Sequence, residues 1–156
     1  LILECGGDVQ ASRMARLGGE FAMLLLVSVS ENEAKRLSGN VESLSDEGFK
    51  VTVTETEWGV AARRKDWLPY RIEVRGANHE GIIHKIASYL SEQGLNLETV
   101  TTEVVAAPMS GSPLFTMSAT VKVPPQLEVD DLREALEFIG NEMGVDTKVF
   151  AHVDEE

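Results

Sequence analysis

The sequence contains a single cysteine, Cys5, in 156 residues, so no intrachain disulfide can form and a reducing compartment, the cytoplasm, is expected. Long apolar runs are also missing. The longest, Phe21 to Val27, has the length of a strand and falls far short of the ~20 residues a membrane helix needs. No charged-then-apolar leader with a small-residue cleavage site is visible, so export is not expected. Basic charge is scarce: 14 Lys and Arg stand against 26 Asp and Glu, a net charge of −12. Residues 1–67 carry 8 basic against 11 acidic side chains, and residues 68–156 carry 6 against 15. The only basic run is Arg63-Arg64-Lys65. Nucleic-acid affinity comes mostly from phosphate contacts on a basic surface, so direct binding to nucleic acid is not expected.

What the chain does have is enough apolar residues, 43%, to bury a core in one ordinary domain or two small ones. It also repeats itself. Gly94-Leu95-Asn96-Leu97 echoes Gly6-Gly7-Asp8-Val9, Phe115-Thr116-Met117 echoes Phe21-Ala22-Met23, and Gly144 to Val149 echoes Gly48 to Val53. The offsets grow from 88 to 94 to 96, which places longer connections in the second copy, around Ala106 to Pro113 and around Pro124-Pro125. Weak identity with the same order of elements suggests a duplication.

The second copy reads through from end to end. Tyr70, Ile72 and Val74 alternate with Arg71, Glu73 and Arg75, a half-buried strand. A turn from Gly76 to Gly81 leads into a helix with Ile83, Ile86, Ala87 and Leu90 on one face, ending at Gly94. Asn96 to Val105 is a β-branched strand and Ala107 to Pro113 a hairpin loop. Phe115 to Val123 alternates strictly. A helix with Leu132, Leu136, Ile139 and Met143 follows, then a strand through Val145, Thr147 and Val149. This order is βαββαβ, the ferredoxin-like split unit of an α+β fold: two helices on one face of a four-stranded antiparallel sheet.

The first copy opens inside the end of its first helix, Leu1 to Cys5. It continues with strands Val9 to Leu17 and Phe21 to Val29 joined by Gly18-Gly19, a helix through Leu37, Val41 and Leu44, and a strand through Val51 and Val53. Its first strand and most of its first helix are absent, and that strand would lie in mid-sheet. The expectation is a natural polypeptide that starts before Leu1; strand donation from another chain and a rearranged half-domain are the alternatives. The expected organisation is a first module at 1–57, a linker at 58–67, a second module at 68–153 and an acidic tail at 154–156. Phe21 to Val29 is apolar on both faces, with Leu24 and Leu26 on the side away from the helices, so that face is expected to pack on the other copy or a second subunit, making a homo-oligomer.

These residues resemble the ACT domain family, small βαββαβ modules that sense amino acids. The resemblance rests on Gly76-x-Asn78-x-x-Gly81-Ile82-Ile83, followed by Gly94-x-Asn96-Leu97, with Glu80 where the family often has proline. The stretch from Gly7 through Ser12-Arg13-Met14 to Gly18-Gly19-Glu20-Phe21-Ala22-Met23 is similar to the paired-module glycine cleavage system transcriptional repressors. The resemblance implies a regulator without catalysis, without cofactor or metal, that binds a small, glycine-like amino acid. It would act by contact with a protein partner such as a transcription factor. The alternatives are the regulatory region of a larger enzyme of the formyltetrahydrofolate deformylase or phosphoserine phosphatase type, and a dimerisation module without ligand.

The candidate ligand site is the turn, Gly76, Asn78, His79, Gly81 and Ile82. Glycines permit close approach, the helix that follows offers free N–H groups to a carboxylate, and Asn78 could accept from an ammonium. The competing reading is a tight turn with Asn78 as helix cap. Asn96 and Leu97 are secondary candidates, and Ser12 and Arg13 the matching surface of the first copy. His79, His84 and His152 lack the spacing of a metal site, and Cys5 lacks a neighbouring base.

Overall fold

The computed structural model describes residues 1–56 and 66–152. The chain divides into two compact units, Leu1–Glu57 and Trp58–Glu156. The basic run Arg63-Arg64-Lys65, most of the expected linker and the acidic tail lie outside the described residues.

The second unit is a complete βαββαβ module. It contains β3 (Leu68–Ala77), α2 (Ile82–Glu92), β4 (Leu97–Ala106), β5 (Pro113–Val123), α3 (Val129–Met143) and β6 (Val145–Ala151). All strand pairs are antiparallel, in the order β4-β5-β3-β6, so the first strand of the module lies inside the sheet. Strict alternation produces its core. Ile72, Val74, Phe115, Met117, Ala119, Val121 and Val149 are buried beneath Ile86 and Leu90 of α2 and Leu132 and Leu136 of α3. Burying a side chain of this kind contributes about 1.5–3 kcal/mol, which makes this cluster the main source of the module's stability. The opposite face of the sheet carries Arg71, Glu73 and Arg75, paired in register with Phe150, Lys148 and Asp146.

The first unit contains β1 (Asp8–Leu17) and β2 (Glu20–Ser28), joined through Gly18 and Gly19, both at positive φ as a tight hairpin requires. Helix α1 (Glu31–Glu42) follows and runs into a 3₁₀ turn, Ser43–Glu47. A further 3₁₀ turn, Leu3–Cys5, packs its buried Cys5 against α1, where the Asn40 side chain donates to Cys5 Sγ and Arg36 to the Glu4 carbonyl.

The repeat seen in the sequence holds at the level of single hydrogen bonds. Cys5, Gly6 and Gly7 donate to the carbonyls of Leu1, Leu3 and Ile2; Gln93, Gly94 and Leu95, 88 positions later, donate to Tyr89, Ser91 and Leu90. Both sets close a helix on a left-handed glycine, so Leu1 to Gly7 has the geometry of a helix's last turn. The hairpins share one register: Arg16 faces Phe21 and Met14 faces Met23, as Val104 faces Phe115 and Thr102 faces Met117. Even the irregularity is repeated, between Val9 and Ala11 and again between Leu97 and Thr99. Gly48 caps onto Leu44 and Ser45 as Gly144 caps onto Gly140 and Asn141.

One expectation fails here. Val51 and Val53 form no strand, although their counterparts Thr147 and Val149 lie in β6. The reason is the ladder. β6 pairs with β3 alone, and no strand among residues 1–56 corresponds to β3, so Val51 and Val53 have no partner strand among the described residues. The sheet of the first unit accordingly stops at two strands. Phe21 and Met23 are 59% and 53% exposed, whereas the equivalent Phe115 and Met117 are 5% and 3% exposed.

Candidate functional site

The turn after β3 is built by two glycines with different tasks. At Gly76 the start of β6 comes so close that a Cβ would stand 2.6 Å from Val145 Cγ1 and 2.8 Å from Val145 Cα. At Gly81, φ is +90°, a region that glycine alone enters without strain, and this residue starts α2. Between them, the Asn78 N–H donates to the Pro113 carbonyl at 3.2 Å, which fastens the turn to the start of β5.

The turn is also fastened to the end of α3. His79 Nε2 meets the carbonyl of Met143, an oxygen that can only accept, so this nitrogen carries the hydrogen. Lys85 and Glu142 form an exposed ion pair at 3.1 Å one turn further along α2. His79 thus serves the turn's own architecture: its Nε2 is spent on a helix-terminal carbonyl, whose partial negative charge suits a donor there.

Asn78 does not cap α2. No side chain makes a cap bond at this helix start, and no acidic residue lies in its first turn. Asn78, His79, Glu80 and Gly81 are exposed while Ile82 is buried beneath them. What remains is a helix start without a side-chain cap, beside an exposed amide side chain able to donate or accept. A shallow hollow of about 190 Å³ adjoins the turn on the Gly76 side, lined by Arg75, Gly76, Asn141, Gly144, Val145 and Asp146. A larger one, of about 350 Å³, lies at the far end of β3 against Arg71, Phe150 and His152 and does not touch the turn.

The other candidates do not join this site within the module. Asn96 and Leu97 lie at the start of β4, where Leu97 faces Val121, itself opposite Tyr70 at the beginning of β3. The turn is at the other end of β3, a strand's length away. Ser12 and Arg13 stand mid-strand in β1, opposite Leu25 and Leu24, and Arg13 donates to the carbonyl of Ser12 at 3.0 Å. His84 is exposed on α2, and Arg71 lies 3.2 Å from His152 Nδ1. The sequence reading missed Met143 and Pro113 as anchors of the turn, since backbone carbonyls leave no trace in a side-chain pattern.

No family model and no curated protein matches the chain. Among solved structures, a chain described as an unknown protein from Galdieria sulphuraria is 30% identical, with 97% of this chain and 86% of that one aligned at a TM-score of 0.76. A second, described as a "putative glycine cleavage system transcriptional repressor", is 14% identical over 98% of this chain and 85% of its own, at a TM-score of 0.68; at that identity the likeness concerns the fold. An ACT domain protein from Streptococcus pneumoniae is 24% identical over 54% of this chain and 89% of its own, at a TM-score of 0.46.

Proposed function

Because this chain belongs to one family with the Galdieria sulphuraria protein and has the paired ACT-type fold, we propose that it is a regulatory protein, not an enzyme, that binds a small amino acid at the turn between Gly76 and Ile82. The observation that carries this reading is the open start of α2. A helix N-terminus without a side-chain cap or an acidic first-turn residue is electrostatically suited to a carboxylate. The exposed amide of Asn78 supplies an acceptor for the ammonium, and the glycines at 76 and 81 keep side-chain bulk away from both. A glycine-sized ligand fits the small scale of the hollow beside the turn. The bound state would act on a protein partner, in keeping with a net charge of −12, and the fold neighbour described as a repressor makes a transcription regulator of glycine cleavage the first partner to try.

Thermal-shift and calorimetric titration of the chain against the twenty amino acids tests the proposal. Glycine or serine at a hundred times its dissociation constant should stabilise the protein by about 2.7 kcal/mol, and Asn78→Ala should remove the shift while leaving the ligand-free melting temperature within a degree or two. If none of the twenty raises the melting temperature, the sensor reading is wrong.

A further inference from the structure

The second unit segregates its charge. Of its six described basic side chains, Lys85 and Arg133 belong to α2 and α3, and both are engaged in ion pairs, with Glu142 and Asp130. The other four, Arg71, Arg75, Lys122 and Lys148, lie on the sheet face turned away from those helices, and none of them enters an ion pair among the described residues. In strand register with them stand three acids, Glu73, Glu103 and Asp146, of the thirteen described in the unit. Lys122, Arg71 and Lys148 form a diagonal across β5, β3 and β6. Lys122 is two residues from Thr120, the neighbour of Arg71 on β5, and Lys148 is two residues from Phe150, its neighbour on β6. From the spacing of strands and the rise along them, successive members stand about 8 Å apart. Glu103 and Asp146 lie at the other end of the face, level with Arg75, and Glu73 is opposite Lys148. Beside the diagonal, Phe150 is 44% exposed at the hollow of about 350 Å³, and Arg71 is steadied there by donating to His152 Nδ1 at 3.2 Å.

We propose that this diagonal is the docking surface for a protein partner whose contacting segment is acidic and carries an apolar side chain among its carboxylates. The proposal rests on the reading that the chain acts by contact with a protein, and it names the surface of that contact. Charge complementarity selects the occupant. Three cations in a row, none of them neutralised by an ion pair, favour carboxylates at matching intervals, and the hollow beside Phe150 has room for one apolar side chain. A net charge of −12 does not forbid the approach. At physiological ionic strength charges are screened over about 8 Å, and the acids of α2 and α3 lie about a helix diameter, ~10 Å, behind the sheet. The cations of the diagonal touch the partner directly. The same acids repel it from the helix side, which fixes the orientation of docking. Nucleic acid fits this face poorly, because a strand of phosphates running along it meets Glu73, Glu103 and Asp146 toward the Gly76 end.

Fluorescence anisotropy of a labelled peptide of repeated Glu-Glu-Leu units, titrated with the full chain and without any free amino acid, tests the docking. The peptide should bind, more weakly as salt rises, and the same peptide with Gln in place of Glu should not. Arg71→Glu combined with Lys148→Glu should weaken binding at least tenfold with the circular dichroism spectrum unchanged, while Lys85→Glu combined with Arg133→Glu, on the helices, should leave it within twofold. Should the first pair disturb the fold, Lys122→Gln at the other end of the diagonal should still weaken binding severalfold. The proposal is overturned if the peptide does not bind, or if the helix variants weaken it as much as the sheet variants. It is overturned equally if an oligothymidylate of the same charge binds as tightly. The titration needs no amino-acid ligand, so its failure leaves the reading of the Gly76–Ile82 turn standing, and failure of the amino-acid titration leaves this surface standing.

Discussion

Gly76 shows how much of this module turns on one missing methyl group. The residue lies at the end of the central strand, where β6 begins against it, and any side chain would enter the space of Val145 Cα as well as of its flexible side chain. Backbone cannot step aside as a side-chain tip can, so Gly76→Ala should destabilise the second unit by about 1–3 kcal/mol, read as a lower urea midpoint. Thr147 offers the opposite case. The residue is 8% exposed, and its buried hydroxyl has no hydrogen-bond partner among the described residues; the same position in the first copy is Val51. Thr147→Val should therefore stabilise the module by about 1 kcal/mol, because an unsatisfied buried hydroxyl is exchanged for a methyl group of the same shape. A lower midpoint for that variant would mean that the hydroxyl has a partner.

At the scale of elements, the two copies differ less in their sequences than in what surrounds them. β2 and β5 share a register, a hairpin and a Phe-x-Met pattern, but β5 has β4 and β3 on its two sides and a buried face beneath α2 and α3, and β2 has β1 alone beside it among the described residues. Local stability follows buried contact, so hydrogen exchange should separate them. Amides of β3 and β5 should exchange at least a hundredfold more slowly than those of β1 and β2 in the same sample. Equal protection in both hairpins would show that β2 is covered in solution, through its free edge or its apolar faces. The order of elements in both copies, and their ends to within a residue or two, were legible from periodicity and glycine placement. The strand expected at Val51 and Val53 was not, since a strand pattern states a preference for pairing and cannot supply the partner.

For the whole molecule, the candidate site was legible in part. The turn from Gly76 to Gly81 was marked by its glycines, but the reading of Asn78 as a helix cap gives way to an uncapped helix start, and His79 proves to be tied to Met143. Asn96 and Leu97 are parted from the turn by the length of the sheet within one module.

The 156 residues by themselves determined the repeat, the βαββαβ order of the second copy, the end of a helix at Gly94 and a net charge of −12. These are local or additive properties: a periodicity, a left-handed glycine, a sum of charges. Only the tertiary structure decided which strand patterns became strands, which apolar faces were buried and which candidate residues came near one another. A ladder or a buried face needs a second surface, and the distance to that surface is not written in either segment alone.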